Sequence, residues 1–157
     1  MTRKTKRICK GMLAGLAGGL AGTFAMTQFQ NLWTKAQGPS RGTEEEPATV
    51  KAARKILPIR EDQKDLGGNV VHYGFGTLNG AAYGAAAEVS PTARMCGGTL
   101  FGAVLFAVAD EGLVPALGLS KPPSAFPLST HVYGLASHLV YGAATDAVRR
   151  IVRAAMR

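Results

Sequence analysis

Charged residues are distributed unevenly along this chain, and the gaps between them limit what it can fold into. Lys10 and Lys35 enclose 24 consecutive uncharged residues, Asp65 and Glu88 enclose 22, Arg94 and Asp110 enclose 15, and Lys121 and Asp146 enclose 24. A helix that crosses a bilayer needs about 20 mostly apolar residues, within a range of about 17 to 25. Three gaps meet that length directly. The third meets it if the helix extends back to Val89 with Arg94 snorkelling, or forward past the acidic pair Asp110 and Glu111. With 157 residues there is room for one domain. The expectation is an all-α integral membrane bundle of four transmembrane helices, over about residues 10–33, 68–88, 94–113 and 128–148. These form a single membrane domain with one polar extramembrane loop, 34–67.

Mean hydropathy is only +0.08, low for a chain in lipid, and two features account for it. The stretch from Thr34 to Leu66 is polar, and the uncharged gaps are built from glycine and alanine more than from leucine and isoleucine. Glycine contributes 20 residues, and much of it is regularly spaced. Gly11, Gly15 and Gly19 recur at every fourth position, as do Gly18 with Gly22, Gly76 with Gly80 and Gly84, and Gly98 with Gly102. Each glycine inside a helix in water costs about 1 kcal/mol relative to alanine. In lipid, where no hydrophobic drive pulls helices together, such small-xxx-small faces let two backbones approach closely. Gly11, Gly15, Gly19, Gly76, Gly80, Gly84, Gly98 and Gly102 are therefore read as helix-packing positions, within the chain or between copies in a homo-oligomer.

The formal net charge of +8 invites a nucleic-acid reading. The placement of the basic residues excludes it: they flank the uncharged gaps instead of lying along one face with aromatics between them. The lipid bilayer is the expected partner. Lysine and arginine total ten on the side of both termini and eight on the other, seven of those eight diluted over the long loop. The positive-inside rule then puts both termini in the cytoplasm of a multi-pass inner-membrane protein. A cleaved signal peptide is the alternative for the first segment, with Lys4 to Arg7 as its basic region and Thr23-Phe24-Ala25 as its cleavage site. Against it, the uncharged stretch runs on to Thr34 past Trp33, an interfacial anchor. Cys9 and Cys96 fall at the cytoplasmic ends of their spans and are expected to be reduced. In the long loop, Thr43 can cap a short helix with Glu44 to Glu46 in its first turn, Val50, Ala53 and Leu57 on one face, and Pro58 at its end. That helix reads as a solvated linker or as one lying on the membrane surface.

Alternating spans bring His72, Tyr73, Asp110, Glu111, His131 and Tyr133 to one membrane face, whatever the orientation. His138 lies two helical turns deeper on the stripe of His131. The candidate cluster is thus His72, Asp110, Glu111, His131 and His138, in the outer half by the charge rule. Ionisable groups inside a membrane are costly and mark functional sites by default. They could relay protons or ions, since imidazole titrates near neutrality, or ligate a metal or haem, although no tight metal-binding spacing is present. The plainer alternative is that they hydrogen-bond between helices or face headgroup water. Asn79, Gln28, Gln30 and Asn31 are read as interhelical hydrogen-bonding residues. No catalytic or nucleotide-binding signature occurs, so no enzyme activity is expected, no cofactor is assigned and metal binding stays open.

Three ordered stretches carry a family resemblance: His72-Tyr73-Gly74-Phe75-Gly76 with Gly80 and Tyr83-Gly84; Ala109-Asp110-Glu111 through Val114-Pro115-Ala116-Leu117-Gly118-Leu119 to Pro122-Pro123; and Pro127-Leu128-Ser129-Thr130-His131 to His138-Leu139-Val140-Tyr141-Gly142. Together with Leu13-Ala14-Gly15 to Ala25-Met26 and Trp33, they resemble the YagU-like uncharacterised bacterial inner-membrane proteins. The resemblance implies an integral inner-membrane protein of unknown biochemical activity and supplies no catalytic residues. The function expected is a non-enzymatic membrane component. The alternatives are a small proton- or ion-linked transporter or channel using the cluster, and a membrane metal or haem binder.

Overall fold

A computed structural model describes residues 2–37 and 46–156. In chain order its helices are α1 (Arg3–Gln37), α2 (Ala48–Ile56), α3 (Lys64–Val89), α4 (Thr99–Leu105), α5 (Val114–Ala116) and α6 (Leu128–Ala155). A π-helical segment, Phe106–Leu113, joins α4 to α5, so that 99–116 forms one rod. Prolines set most of the boundaries. Leu57 before Pro58 and Ser90 before Pro91 are extended, the conformation that a following proline ring imposes, and they stop α2 and α3. Pro127 stands at the head of α6.

The structure departs from the expected elements in two places. The third apolar segment becomes α-helical at Thr99 and not at residue 94, because Cys96 (φ 55°), Gly97 (φ 58°) and Gly98 (φ 85°) form a left-handed turn that a right-handed helix cannot contain. The loop helix starts at Ala48, so Glu46 precedes it: the ring of Pro47 disfavours helical backbone at the residue before it. The expected cap, Thr43, with Glu44 and Glu45, lies outside the described residues. Nor is α2 a free linker. Val50 and Ala53 are buried against Gly67 and Gly68, whose missing side chains leave room at the start of α3. Arg54 pairs with Glu46 and Glu61, while Lys55 donates to the Leu117 carbonyl (2.9 Å). Hydrogen bonds from Arg54, and then from Lys64, hold the Glu61 carboxyl below its ordinary value of 4.5. Because that shift is downward, the cluster's support for α2 is complete above pH 4.5 and fades as the pH falls through the lowered value.

Helix α1 packs on α3 along one face and on α6 along another, and the rod 99–116 packs on the far side of α6. Backbone contact dominates these interfaces. A methyl group on Gly19 would lie 2.5 Å from the Gly76 carbonyl oxygen, one on Gly11 would lie 2.5 Å from that of Gly84, and one on Gly15 would collide with that of Gly80. On the second face, Gly18 and Gly22 meet the carbonyls of Thr145 and Tyr141. Gly98 and Gly102 meet those of Gly142 and His138. Each of the ten glycines at four-residue spacing therefore faces another helix of the same chain.

With small residues at the seams, the usual polarity of a protein interior is inverted. The largest fully buried side chains are Tyr141, Thr23, Thr145, Asp146 and Ser137, four of them polar and none aliphatic. Large apolar side chains point outward instead: Leu20 is 53% exposed, Phe24 56%, Leu78 69% and Val108 63%. Two segments, Arg3–Ala36 and Thr92–Ala116, are long and apolar enough to cross a membrane. Helices α3 and α6, with 26 and 28 residues, are also long enough but hold all three histidines of the chain, with Asn69 and Asn79 in α3, which an uncharged gap admits and mean hydropathy penalises.

Gly80→Ala places a methyl against the Gly15 carbonyl and the Gly19 backbone, which cannot yield, and is expected to destabilise the fold by about 1–3 kcal/mol. Gly74→Ala meets nothing within 4 Å and is expected to be neutral or stabilising by up to about 1 kcal/mol. Thermal unfolding in detergent, followed by circular dichroism, measures both.

Candidate functional site

At the end of the bundle where α1 finishes and α3 and α6 begin, the rod 99–116 leans away from α1 and α3. The space left is a cavity of about 670 Å³, lined also by residues of α2 and of the 117–126 connection. Its walls mix Met26 and Gln30 of α1, Phe75 of α3, and Leu105 and Phe106 of the rod. His72, Asp110, Glu111, His131 and His138 all line it.

Two carboxylates come from adjacent positions because the rod is not α-helical there. Pro115 has no N–H to give the Glu111 carbonyl, and its ring crowds that carbonyl one turn back, so the regular ladder cannot run through it. The wider turn of Phe106–Leu113 absorbs the conflict, the kind of local expansion that recurs at functional sites. Both Asp110 and Glu111 line the cavity as a result.

The five residues meet in pairs. His131 Nδ1 is 2.7 Å from Glu111 Oε1, a bond that ties the head of α6 to the rod. His138 Nδ1 is 2.9 Å from the Gly134 carbonyl. A carbonyl only accepts, so Nδ1 carries the hydrogen and a neutral His138 presents Nε2 as an acceptor. Asp110 Oδ2 lies 3.8 Å from the same Nδ1, and the rest of its half-exposed carboxylate is open to the cavity. His72 Nε2 is buried without a hydrogen-bond partner among the described residues, and its ring stands edge-on to Tyr73. No three histidine, cysteine, aspartate or glutamate side chains converge as a metal site among the described residues. Asn79, expected to bond between helices, donates instead to the Phe75 carbonyl of its own helix (2.9 Å).

Tyr141, which lines the cavity, belongs to a group of three aromatic rings. Tyr83 stacks on Phe101 at 4.5 Å, Phe101 lies 5.9 Å from Tyr141, and the Tyr141 hydroxyl donates to the Gly76 carbonyl (2.6 Å). Beside these rings sits a buried ionic cluster that sequence reasoning did not single out. Asp146 accepts from the Tyr83 hydroxyl (2.8 Å) and Arg149 Nη2 (2.7 Å), and Arg150 Nε lies 2.6 Å from its other oxygen. Farther toward the termini, Glu88 accepts from Arg153 (2.6 Å) and pairs with Arg7 (3.5 Å). The spacing of Asp146 with Arg149 and Arg150 was a visible signal, since residues three and four apart share a helix face. Nothing local pointed to Tyr83.

Chemically, the cavity offers acidic and imidazole groups on apolar walls, suited to holding a small amphiphilic molecule or to exchanging protons with it. In the charged cluster below, each carboxylate meets two guanidinium groups, which suits fixing the bundle. Residues 47–147 match a family described as a protein of unknown function (DUF1440), a stretch that includes every residue of the cavity cluster but not α1. No curated protein and no solved structure matches the chain.

Different roles for the two groups imply different mutational costs. Asp146→Ala leaves Arg149 buried without its carboxylate and is expected to cost about 3–5 kcal/mol. Asp110→Asn, at a half-exposed cavity position, is expected to cost less than about 1 kcal/mol. Denaturation midpoints of the two purified variants test the contrast.

Proposed function

The chain belongs to the DUF1440 family of proteins of unknown function, and from that premise we propose that it is a non-enzymatic integral protein of the bacterial inner membrane. Its four long helical rods cross the bilayer with both termini in the cytoplasm. The observation that carries this reading is the inverted polarity: aliphatic and aromatic side chains cover the outside, while hydroxyl, imidazole and paired charged groups fill the interior. Water would penalise that arrangement, and hydrocarbon favours it.

The two ends of the bundle support the same orientation. Trp33 lies 5.7 Å from both Phe29 and Tyr133, an aromatic group of the kind found at membrane interfaces. Arg7, Lys10, Arg94, Arg150 and Arg153 gather at the other end. Along α1, Lys10 and Trp33 are separated by about 35 Å of helix, comparable to a hydrocarbon core of about 30 Å. The YagU-like stretches supply the bacterial inner-membrane setting. Helix α1 packs on α3 and α6 through Gly11 to Gly22, so removing it as a signal peptide would strip both partners of the surface they rest on.

One observation favours a second reading, proton- or ion-linked passage. The cavity reaches Tyr141, and the ring contacts run on from Tyr141 through Phe101 to Tyr83, whose hydroxyl donates to Asp146. In proteoliposomes, this reading expects a pH-gradient-driven proton flux that His138→Ala removes. An unchanged flux would take His138 out of the path.

For the membrane reading, the full chain should stay in the pellet after alkaline carbonate washing and require detergent for release. An impermeant maleimide should reach a Ser124→Cys variant from outside the cell and reach Cys96 only after permeabilisation. Release by carbonate, or labelling of Cys96 in intact cells, would reject the topology.

A further inference from the structure

The end of the bundle opposite the cavity carries a second cleft, of about 590 Å³, between the last turn of α3, the 92–98 turn and the last two turns of α6. Glu88, Arg94, Arg149, Arg150 and Arg153 line it. With Arg7, which pairs with Glu88, five guanidinium groups meet two carboxylates there. Asp146 takes Arg149 and Arg150, and Glu88 takes Arg153 and Arg7. The excess is three positive charges, and Arg94 has no ion-pair partner among the described residues.

Four of these cations are paired with a carboxylate before any ligand arrives. The Arg149 side chain is 5% exposed, fixed by Asp146 beneath it, and Glu88 is 9% exposed. Arg94, just before the left-handed turn at Cys96, Gly97 and Gly98, lines the cleft together with the α6 arginines. Arg150 remains 57% exposed with one nitrogen on Asp146, leaving further N–H groups facing outward. A guanidinium presents a planar fork of donors that matches two oxygens of one phosphate, and a pre-fixed fork loses little freedom on binding.

We propose that this cleft is a phosphate-binding site whose occupant is the headgroup phosphodiester of an anionic phospholipid. The lipid assignment rests on the membrane reading, because that reading puts the cleft at headgroup depth, where basic pockets between helices hold acidic headgroups. The phosphate chemistry rests on the arginines alone. The same guanidinium set would also accept free inorganic phosphate, and the experiment separates the two.

Full-length protein in a neutral detergent is titrated with phosphatidylglycerol, with phosphatidylcholine of the same acyl chains, and with inorganic phosphate alone. Thermal stability and native mass spectrometry are the readouts. Phosphatidylglycerol should raise the melting temperature and leave a one-to-one adduct that phosphatidylcholine does not give. Arg94→Gln, and Arg150→Gln, which removes the exposed partner of Asp146 but leaves Arg149 on it, should each weaken the adduct by about tenfold, the loss of one charge-assisted contact. Unaltered circular dichroism would confirm that both variants fold. Equal binding of the two lipids, or an adduct that survives both substitutions, overturns the proposal. Inorganic phosphate that protects alone and displaces the lipid supports the phosphate site and overturns its lipid occupant. Protein that is released by carbonate yet binds phosphate through Arg94 would separate failure of the membrane reading from success of the site.

Discussion

Contact between the α1 and α3 backbones at Gly11, Gly15 and Gly19 against Gly84, Gly80 and Gly76 is the constraint from which the rest of the structure follows. Where two helices meet without side chains, large apolar residues have no interior position left, and they go to the surface. The seam also fixes depth. With α1 clamped on both α3 and α6, three helices form a close-packed wall, and the rod 99–116 must attach through α6. Gly98 and Gly102 draw that rod tight at one end. At the other end Phe106 comes up against Gly134, and a cavity opens between the rod, still tied to α6 by Glu111 and His131, and the residues of α1 and α3 that face it.

The bundle is therefore asymmetric along its axis. Its terminal end is closed by buried and partly buried ion pairs, Asp146 with Arg149 and Glu88 with Arg153, each carboxylate satisfied by more than one donor. Such pairs are costly to break, because the surviving partner stays buried without its counter-charge. The opposite end holds its ionisable groups in looser pairs, with one imidazole nitrogen of His72 unsatisfied among the described residues and the Asp110 carboxylate half open. Polar groups that stabilise little and remain available are those a ligand or a proton can use. Helix α2, docked on Gly67 and Gly68 and tied to Leu117 by Lys55, lines the cavity with Ala48, Thr49 and Ala52, so this part of the polar loop belongs to the cavity and is not a bare connection.

Much of the cavity's composition could be read from the order of the chain alone. Four uncharged stretches separated by turns must alternate in direction, and alternation brings His72, Asp110, Glu111 and His131 to one end however the bundle is turned. A seven-residue spacing adds His138. The pairings could not be read. Whether Glu111 meets His131 or His138 depends on the turn angle of the rod, and Pro115 alters that angle by forcing a π-helical stretch no α-helical projection contains. Asn79 was misread for a related reason: an amide in a helix can return to the carbonyl four residues back, and composition does not say which acceptor is nearer.

Sequence by itself determined the helical class, the spans free of charge, the four-residue glycine rhythm and the end at which the histidines gather. These properties depend on local composition and on the 3.6-residue turn. Tertiary structure alone decided which glycine faces which carbonyl, where the rod departs from its neighbours, how Tyr83 reaches Asp146 across 63 positions, and that Arg94 closes a cleft against α6. Those features require side chains far apart in the chain to arrive at one point, and only the packing of the helices brings them there.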